Sequence, residues 1–480
     1  MKGFYITTTL PYVNDRPHVG HALEFVQADS FARAKRLEGY DVFLNFGTDE
    51  HGQKVYKKAL ESGKSPQAYA DEYAATFDAL KEALNFSYDK FIRTTDPDHC
   101  AAAQEFWKIC VKNGDIYKKF YKIKHCVGCE LEKTDSELTD GKCPIHPNLE
   151  VEIREEENYF FRFSKYENAL KELYLEQPAF VLPAFRLNEI KSLIEGEGLQ
   201  DFSISRLKEK MPWGIPVPDD DKHIMYVWFD ALINYVSTIG WPKDMTKFER
   251  YWPVVQFAGK DQVRQQAAMW QAMLFSAGLP PSKQIIIHGF IIGEGGVKMS
   301  KSLGNIIDPY KVVEKYGTDA LRYFLLRHIH PFEDSEFTNA RFKEAYNANL
   351  ANGLGNLVSR IMKMSSDYGV TANLPNKEEV LESDFSAAVF DNLEKYDYNS
   401  ALDMVWSEIQ NLDSYINIKA PFKLVKQNPE EAKAVVAKLI EGLWSVAVIL
   451  EPFLPSTAVE IQRLIGANSV PAKPLFPRKE

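Results

Sequence analysis

The opening of the chain constrains its fold more than any other stretch. Phe4-Tyr5-Ile6-Thr7-Thr8-Thr9 is a run of aromatic and β-branched residues, the composition of a buried strand. Pro11, Asn14, Asp15 and Pro17 then form a loop. From about Val19 to Leu37, apolar residues at Ala22, Phe25, Val26, Ala28, Ala32 and Leu37 follow a helical stripe. Gly39 ends that helix, and Asp41-Val-Phe-Leu-Asn-Phe46 reads as the next strand. A strand, a helix and a second strand in this order make a βαβ unit. The expectation is therefore an α/β protein with a parallel, Rossmann-like sheet and right-handed crossovers.

Residues 115–225 lose this rhythm and carry short strand-like runs, proline turns and three clustered cysteines, the pattern of an insertion between two halves of an α/β domain. Strand patterns resume at Ile224-Met-Tyr-Val-Trp228, Val254-Val-Gln-Phe257 and Gln284-Ile-Ile-Ile-His288. From about Thr338 onward only helical periodicity remains, as in Ala345–Lys363 and Ala432–Leu450, so an all-α bundle closes the chain. The expected organisation is a catalytic first half (1–114), a connective insertion (115–225), a second half (226–337) and a helical domain (338–480).

The 480 residues are 45% hydrophobic and 26% charged, an ordinary globular balance that can bury its core without disulfides. Five cysteines and no secretory leader point to a reducing compartment and a cytoplasmic protein. There is no apolar run long enough to span a membrane. A net charge of −10 argues against general nucleic-acid binding, yet it allows a local basic surface for one structured RNA.

Two motifs carry chemistry. Pro17-His18-Val19-Gly20-His21 falls between the first strand and its helix, so two histidines three apart lie on one face at a helix start. There they can donate to an anion that unpaired backbone amides and the helix dipole already favour. Gly20 lets a ligand approach the backbone. Alone, the pair could be two surface histidines; the strand–loop–helix context argues otherwise. The second motif is Lys298-Met299-Ser300-Lys301-Ser302, flanked by Gly293, Gly295, Gly296 and Gly304. Its two lysines can reach phosphates as point charges from a mobile loop.

Together, about 280 residues apart on a Rossmann-like pattern, HVGH and KMSKS resemble the two signatures of class I aminoacyl-tRNA synthetases. Leu10-Pro11-Tyr12, Gly47-Thr-Asp49-Glu-His51-Gly52 and Trp228-Phe-Asp-Ala231-Leu232-Ile-Asn-Tyr235 look like the methionyl members of that class. The resemblance runs from Phe4 to about Pro455. It implies ATP-dependent activation of L-methionine and transfer of the aminoacyl group to the terminal ribose of tRNA(Met), with Mg2+ entering alongside ATP. By it, His18, Gly20, His21, Asp261 and Lys301 meet ATP, and Lys298 helps to close the loop. By it also, Leu10, Tyr12, Asp49, Arg206, Trp228, Ala231, Leu232 and Tyr235 surround methionine. A buried carboxylate such as Asp49 suits an ammonium group, and aromatic walls suit a thioether. In many methionyl enzymes the positions of Gln262 and Gln266 hold an apolar residue and a histidine, so Gln266 stands where a methionine contact is expected.

Cys126-x2-Cys129-x13-Cys143-x2-His146 has the spacing of two paired ligand sets, and four such ligands suit one structural zinc ion. The resemblance agrees, since methionyl enzymes carry a zinc knuckle in this insertion. In the helical region Asn356 and Arg360 match a helix that contacts the anticodon in the family. Phe422 stands where relatives have a base-stacking tryptophan. The absence of an appended module favours a monomer. Three alternatives remain: a cysteinyl-like synthetase, a non-catalytic tRNA-binding relative and a nucleotidyltransferase. The first lacks a cysteine near Leu10, the second conflicts with two intact signatures, and the third leaves the helical region without a role.

Overall fold

A computed structural model of the chain describes residues 2–129, 131–133, 137–196, 198–297, 299 and 304–480. Its backbone divides into two compact units. The first holds Met1–Pro17, Tyr40–Ala79 and Tyr88–Ile287; the second holds His18–Gly39, Leu80–Ser87 and His288–Glu480.

The first unit is built on the expected sheet. Its strands are β1 (Gly3–Thr8), β2 (Asp41–Thr48), β3 (Lys90–Arg93), β4 (Val181–Leu182), β5 (Val254–Gly259) and β6 (Gln284–His288). They lie in the order β3-β2-β1-β5-β6-β4. β1 pairs in parallel with β2 (Tyr5 with Phe43) and with β5 (Tyr5 with Val254). The strands of β1 and β5 are almost wholly buried, which is why they read as continuous apolar and β-branched runs rather than alternating ones. The chain winds outward in opposite directions from β1, so the strand order reverses between β1 and β5. Open α/β sheets bind ligands at the carboxyl ends of the strands flanking such a point.

Two details depart from the sequence reading. The insertion contributes an edge strand, β4, which pairs with β6 through Ile285 and Val181. Ile224–Trp228 does not return to the main sheet. Its first half belongs to a strand Asp220–Met225, antiparallel to Ser205–Leu207 and Pro216–Val217, and its second half starts the helix Val227–Leu232. Short apolar runs of this kind do not distinguish strand from buried helix. The rest of the insertion is dominated by a long hairpin, Ile116–Cys126 against Val151–Phe161. An aromatic core joins Phe106 to Trp241 (5.5 Å) and Trp107 to Phe229 (5.3 Å).

The second unit is helical beyond residue 338 in all its described regular elements, as expected. Its long helices are Val19–Leu37, Asn356–Tyr368, Tyr398–Lys419 and Pro429–Leu450. A fully buried arginine fastens it. Arg322 pairs with Asp29 at 2.8 Å and donates to the carbonyls of Phe453 (2.9 Å), Leu84 (3.1 Å) and Pro452 (3.1 Å). Asp29 in turn accepts from Ser87 and Arg33. Burying these charges is tolerable because each is paired and hydrogen-bonded.

Candidate active site

The helix Val19–Leu37 begins on a histidine. His18 is its cap: Nδ1 accepts from the Gly20 amide at 3.1 Å, while the His18 amide donates to His21 Nδ1 at 3.2 Å. This is a reciprocal capping box made from imidazoles. The two rings stack with centroids 3.8 Å apart and planes at 21°. Because each Nδ1 accepts a backbone proton, the ring proton of each neutral imidazole sits on Nε2, which is then a donor. Burial, together with His18 and His288, lowers the pKa of His21 well below its usual value, so it is uncharged at neutral pH. A Cβ on residue 20 would lie 2.8 Å from the His18 ring, so glycine is what permits this stack.

The backbone at this helix start differs from the sequence reading, which expected unpaired amides. The backbone amides at the helix start are already engaged: Val19 donates to the Ile307 carbonyl (3.1 Å), Gly20 to His18, and His21 to the His18 carbonyl (3.0 Å). An anion placed at this helix start would lie in the field of the helix dipole. One turn on, Glu24 holds Nε2 of His288 at 2.8 Å, and Nδ1 of His288 lies 2.7 Å from the Gly289 carbonyl. Sequence reading missed this buried pair. Lys298 and Lys301 lie outside the described residues, as do Ser300 and Ser302.

In the first unit the structure gathers several predicted residues past the ends of β1 and β2. Tyr12 and Asp49 form a parallel bridge, with the Asp49 amide donating to Pro11 (2.9 Å) and Val13 donating to Asp49 (3.2 Å). Trp228 Nε1 donates to the Tyr12 hydroxyl. Leu10, Tyr12 and Ala231 are half-buried, and Asp49, Trp228, Leu232 and Tyr235 are buried. Tyr235 packs edge-on to Trp270 at 5.7 Å. Arg206, 5% exposed, donates to Ser203 Oγ (2.8 Å) and the Ser205 carbonyl (2.6 Å), with its guanidinium 4.2 Å from the Tyr226 ring. It borders a cavity of about 250 Å³ lined also by Gly52, Lys210, Met211, Tyr226 and Val227.

Asp261 is exposed on the turn that follows β5, at the point where strand order reverses. Gln266 is buried in a π-helical turn, Gln265–Met269. Its Oε1 accepts from Gln256 Nε2 at 2.9 Å, and Gln256, Ser282 and Gln271 continue that buried hydrogen-bonded chain. Gln266 is thus anchored to β5 through Gln256. Nothing in the sequence signalled that partner.

The structure brings the four expected metal ligands together. Ligand atoms of Cys126, Cys129, Cys143 and His146 all lie within 4.8 Å of one another. Cys129 Sγ is 3.3 Å from both Cys143 Sγ and His146 Nδ1, and Cys126 Sγ is 3.9 Å from that nitrogen. The edges of a tetrahedron with metal–sulfur bonds of about 2.3 Å have such lengths, so a Cys3His set can hold a metal ion here. Gly128 makes it possible, because a Cβ there would fall 2.3 Å from His146 Cγ. In the helical unit Asn356 is exposed and Arg360 half-buried on one helix face, where Arg360 pairs with Asp413 and bonds Asn417 (3.1 Å). Phe422 is 45% exposed.

A parallel sheet that reverses its winding at the centre, built from consecutive strand, helix and strand, defines a doubly wound α/β protein. Residues 4–150 and 133–362 match the family described as tRNA synthetases class I (M). Methionine–tRNA ligases of Nostoc sp. and Thermotoga maritima are 42% and 41% identical to it. The matches span 97% and 98% of this chain, and 90% and 76% of those proteins. The solved structure of Mycobacterium tuberculosis methionyl-tRNA synthetase in complex with methionyl-adenylate is similar with a TM-score of 0.89 at 34% identity, covering 100% of this chain and 98% of that one. The chain belongs to the class I methionyl-tRNA synthetase family.

Proposed function

We propose that this chain activates L-methionine with ATP and transfers it to the terminal ribose of tRNA(Met). The observation that carries the chemistry is the histidine box: two stacked imidazoles held through their Nδ1 atoms at the start of a helix. In the first step a methionine carboxylate oxygen attacks the α-phosphorus of ATP and pyrophosphate leaves. Negative charge then grows on the phosphate oxygens, where His18 and His21 donate, Lys301 adds a point charge and Lys298 closes its loop. Such contacts accelerate the step only by being stronger in the transition state than in the ground state. Mg2+ enters with ATP, and Gly20 and Asp261 border the nucleotide.

Asp49 receives the ammonium group, Leu10, Tyr12, Trp228, Ala231, Leu232 and Tyr235 line the slot for the thioether, and Arg206 and Gln266 lie beside it. In the second step a ribose hydroxyl of the tRNA attacks the carbonyl carbon and AMP leaves. Cys126, Cys129, Cys143 and His146 hold zinc, which folds the insertion. Asn356, Arg360 and Phe422 meet the anticodon, and the enzyme works as a cytoplasmic monomer whose four segments follow 1–114, 115–225, 226–337 and 338–480. The test is ATP–pyrophosphate exchange with each of the twenty amino acids in turn. Exchange that depends on methionine alone is expected; exchange with another amino acid would overturn the specificity, and none at all would overturn the activity.

A further inference from the structure

Three residues assigned to the methionine slot come from three separate segments. Tyr12 follows β1, Asp49 follows β2, and Trp228 sits in the helix Val227–Leu232, outside the parallel sheet. Two contacts join them directly: the backbone bridge of Tyr12 with Asp49, and the hydrogen bond from Trp228 to the Tyr12 hydroxyl. The third side of the triangle is closed by two residues absent from the list of predicted contacts. His51, two residues after Asp49, places Nδ1 3.2 Å from Oδ2 of Asp230, two residues after Trp228. Tyr12, Trp228, Asp230, His51 and Asp49 thus form one closed circuit.

Asp230 is unusual for a residue with no assigned role. It is fully buried, and no hydrogen-bond donor among the described residues reaches either carboxylate oxygen besides the His51 contact. A carboxyl group so placed is costly to bury without a polar partner, and burial raises its pKa while His51 opposes that rise. His51 is fixed on its other side, 5% exposed and edge-on to Trp213 at 5.3 Å, whose indole N–H donates to the Glu50 carbonyl at 2.6 Å. The pair therefore sits between two anchored segments and sets the distance between them. We propose that His51 and Asp230 are positioning residues that fix the separation of Asp49 from Trp228, and so determine how tightly the slot grips the methionine side chain.

The inference rests on the reading of Asp49 and Trp228 as methionine contacts. It is tested by pyrophosphate exchange with wild type, Asp230→Asn, His51→Gln and the double variant, measuring KM for methionine and ATP, kcat/KM for methionine against norleucine, and thermal midpoint. The asparagine keeps the size of the side chain and removes its ionisable carboxyl group. Methionine KM should rise at least about tenfold and the preference over norleucine should shrink, as for a slot fitted too loosely by one methylene. The KM for ATP should stay within about twofold, since uniform damage is what a general structural role would produce. The double variant should resemble either single, because the two act as one unit. Unchanged methionine KM and unchanged preference in folded variants would overturn the proposal and leave the function intact. Parallel loss of methionine and ATP binding, or failure of all three variants to fold, would also overturn it, by assigning the pair to stability. Wild type without methionine-dependent exchange would remove the functional reading and this one with it.

Discussion

His18 serves two ends at once, and the two can be separated by mutation. Its Nδ1 caps the helix Val19–Leu37 by accepting from Gly20 at 3.1 Å, and in the proposed reaction its ring donates to phosphate. Losing an N-cap costs about 0.5–2 kcal/mol of stability. Losing a donor aimed at developing charge costs about 2.7–4 kcal/mol of barrier, or roughly 10²–10³ in kcat. His18→Ala removes both, so the thermal midpoint should fall and pyrophosphate exchange should drop by that factor. His18→Asn restores a good cap but supplies no donor at the position of Nε2, because its amide ends one bond from Cγ. It should regain the midpoint of wild type and remain as slow as the alanine variant. The assay is pyrophosphate exchange at saturating ATP and methionine, with the midpoint measured on the same samples. If His18→Asn recovers exchange to within about threefold of wild type, the ring donor contributes little transition-state stabilisation and the reasoning fails.

Gly128→Ala should abolish metal retention, because its Cβ would occupy space 2.3 Å from His146 Cγ; bound zinc measured after gel filtration should fall from about one per chain to near zero, as expected when one ligand of a tetrahedral site is displaced. Arg322→Met removes one of the two arginines that face buried Asp29, together with the donors to three buried carbonyls, and should destabilise the helical unit by about 3–5 kcal/mol, read by urea unfolding, with Arg322→Met combined with Asp29→Asn recovering part of the loss. Burial lowers His99 to about 3, so its neutral form is favoured on folding. The unfolded chain then binds the extra proton first, and stability contributed by His99 is present above about pH 6.5 and lost progressively as pH falls toward 3. His99→Gln, which can keep the bond to Ser237, should flatten that part of the acid limb in urea titrations at successive pH values; an unchanged limb would show that His99 does not drive it.

Much of this protein could be read from its residues in order. The βαβ start is local: a β-branched strand, prolines in the loop and a 3.6-residue apolar stripe follow from spacing alone, and β1, β2, β5 and β6 stand where the runs of apolar residues placed them. The Cys3His set was legible because metal coordination imposes short, specific intervals, and the structure brings all four ligands within 4.8 Å. What spacing could not express is partnership between distant segments. Ile224–Trp228 looked like one strand, yet only tertiary packing decided that its first half pairs with Ser205–Leu207 and its second half turns into a helix. The amides expected to be unpaired at the helix start are taken by the Ile307 carbonyl and by His18. Gln266 finds its partner ten residues back in the strand β5, and His51 meets Asp230 across 179 positions of sequence (230 − 51). A buried polar group must be satisfied, but which group satisfies it depends on how the chain returns, and that is settled only when the segments pack.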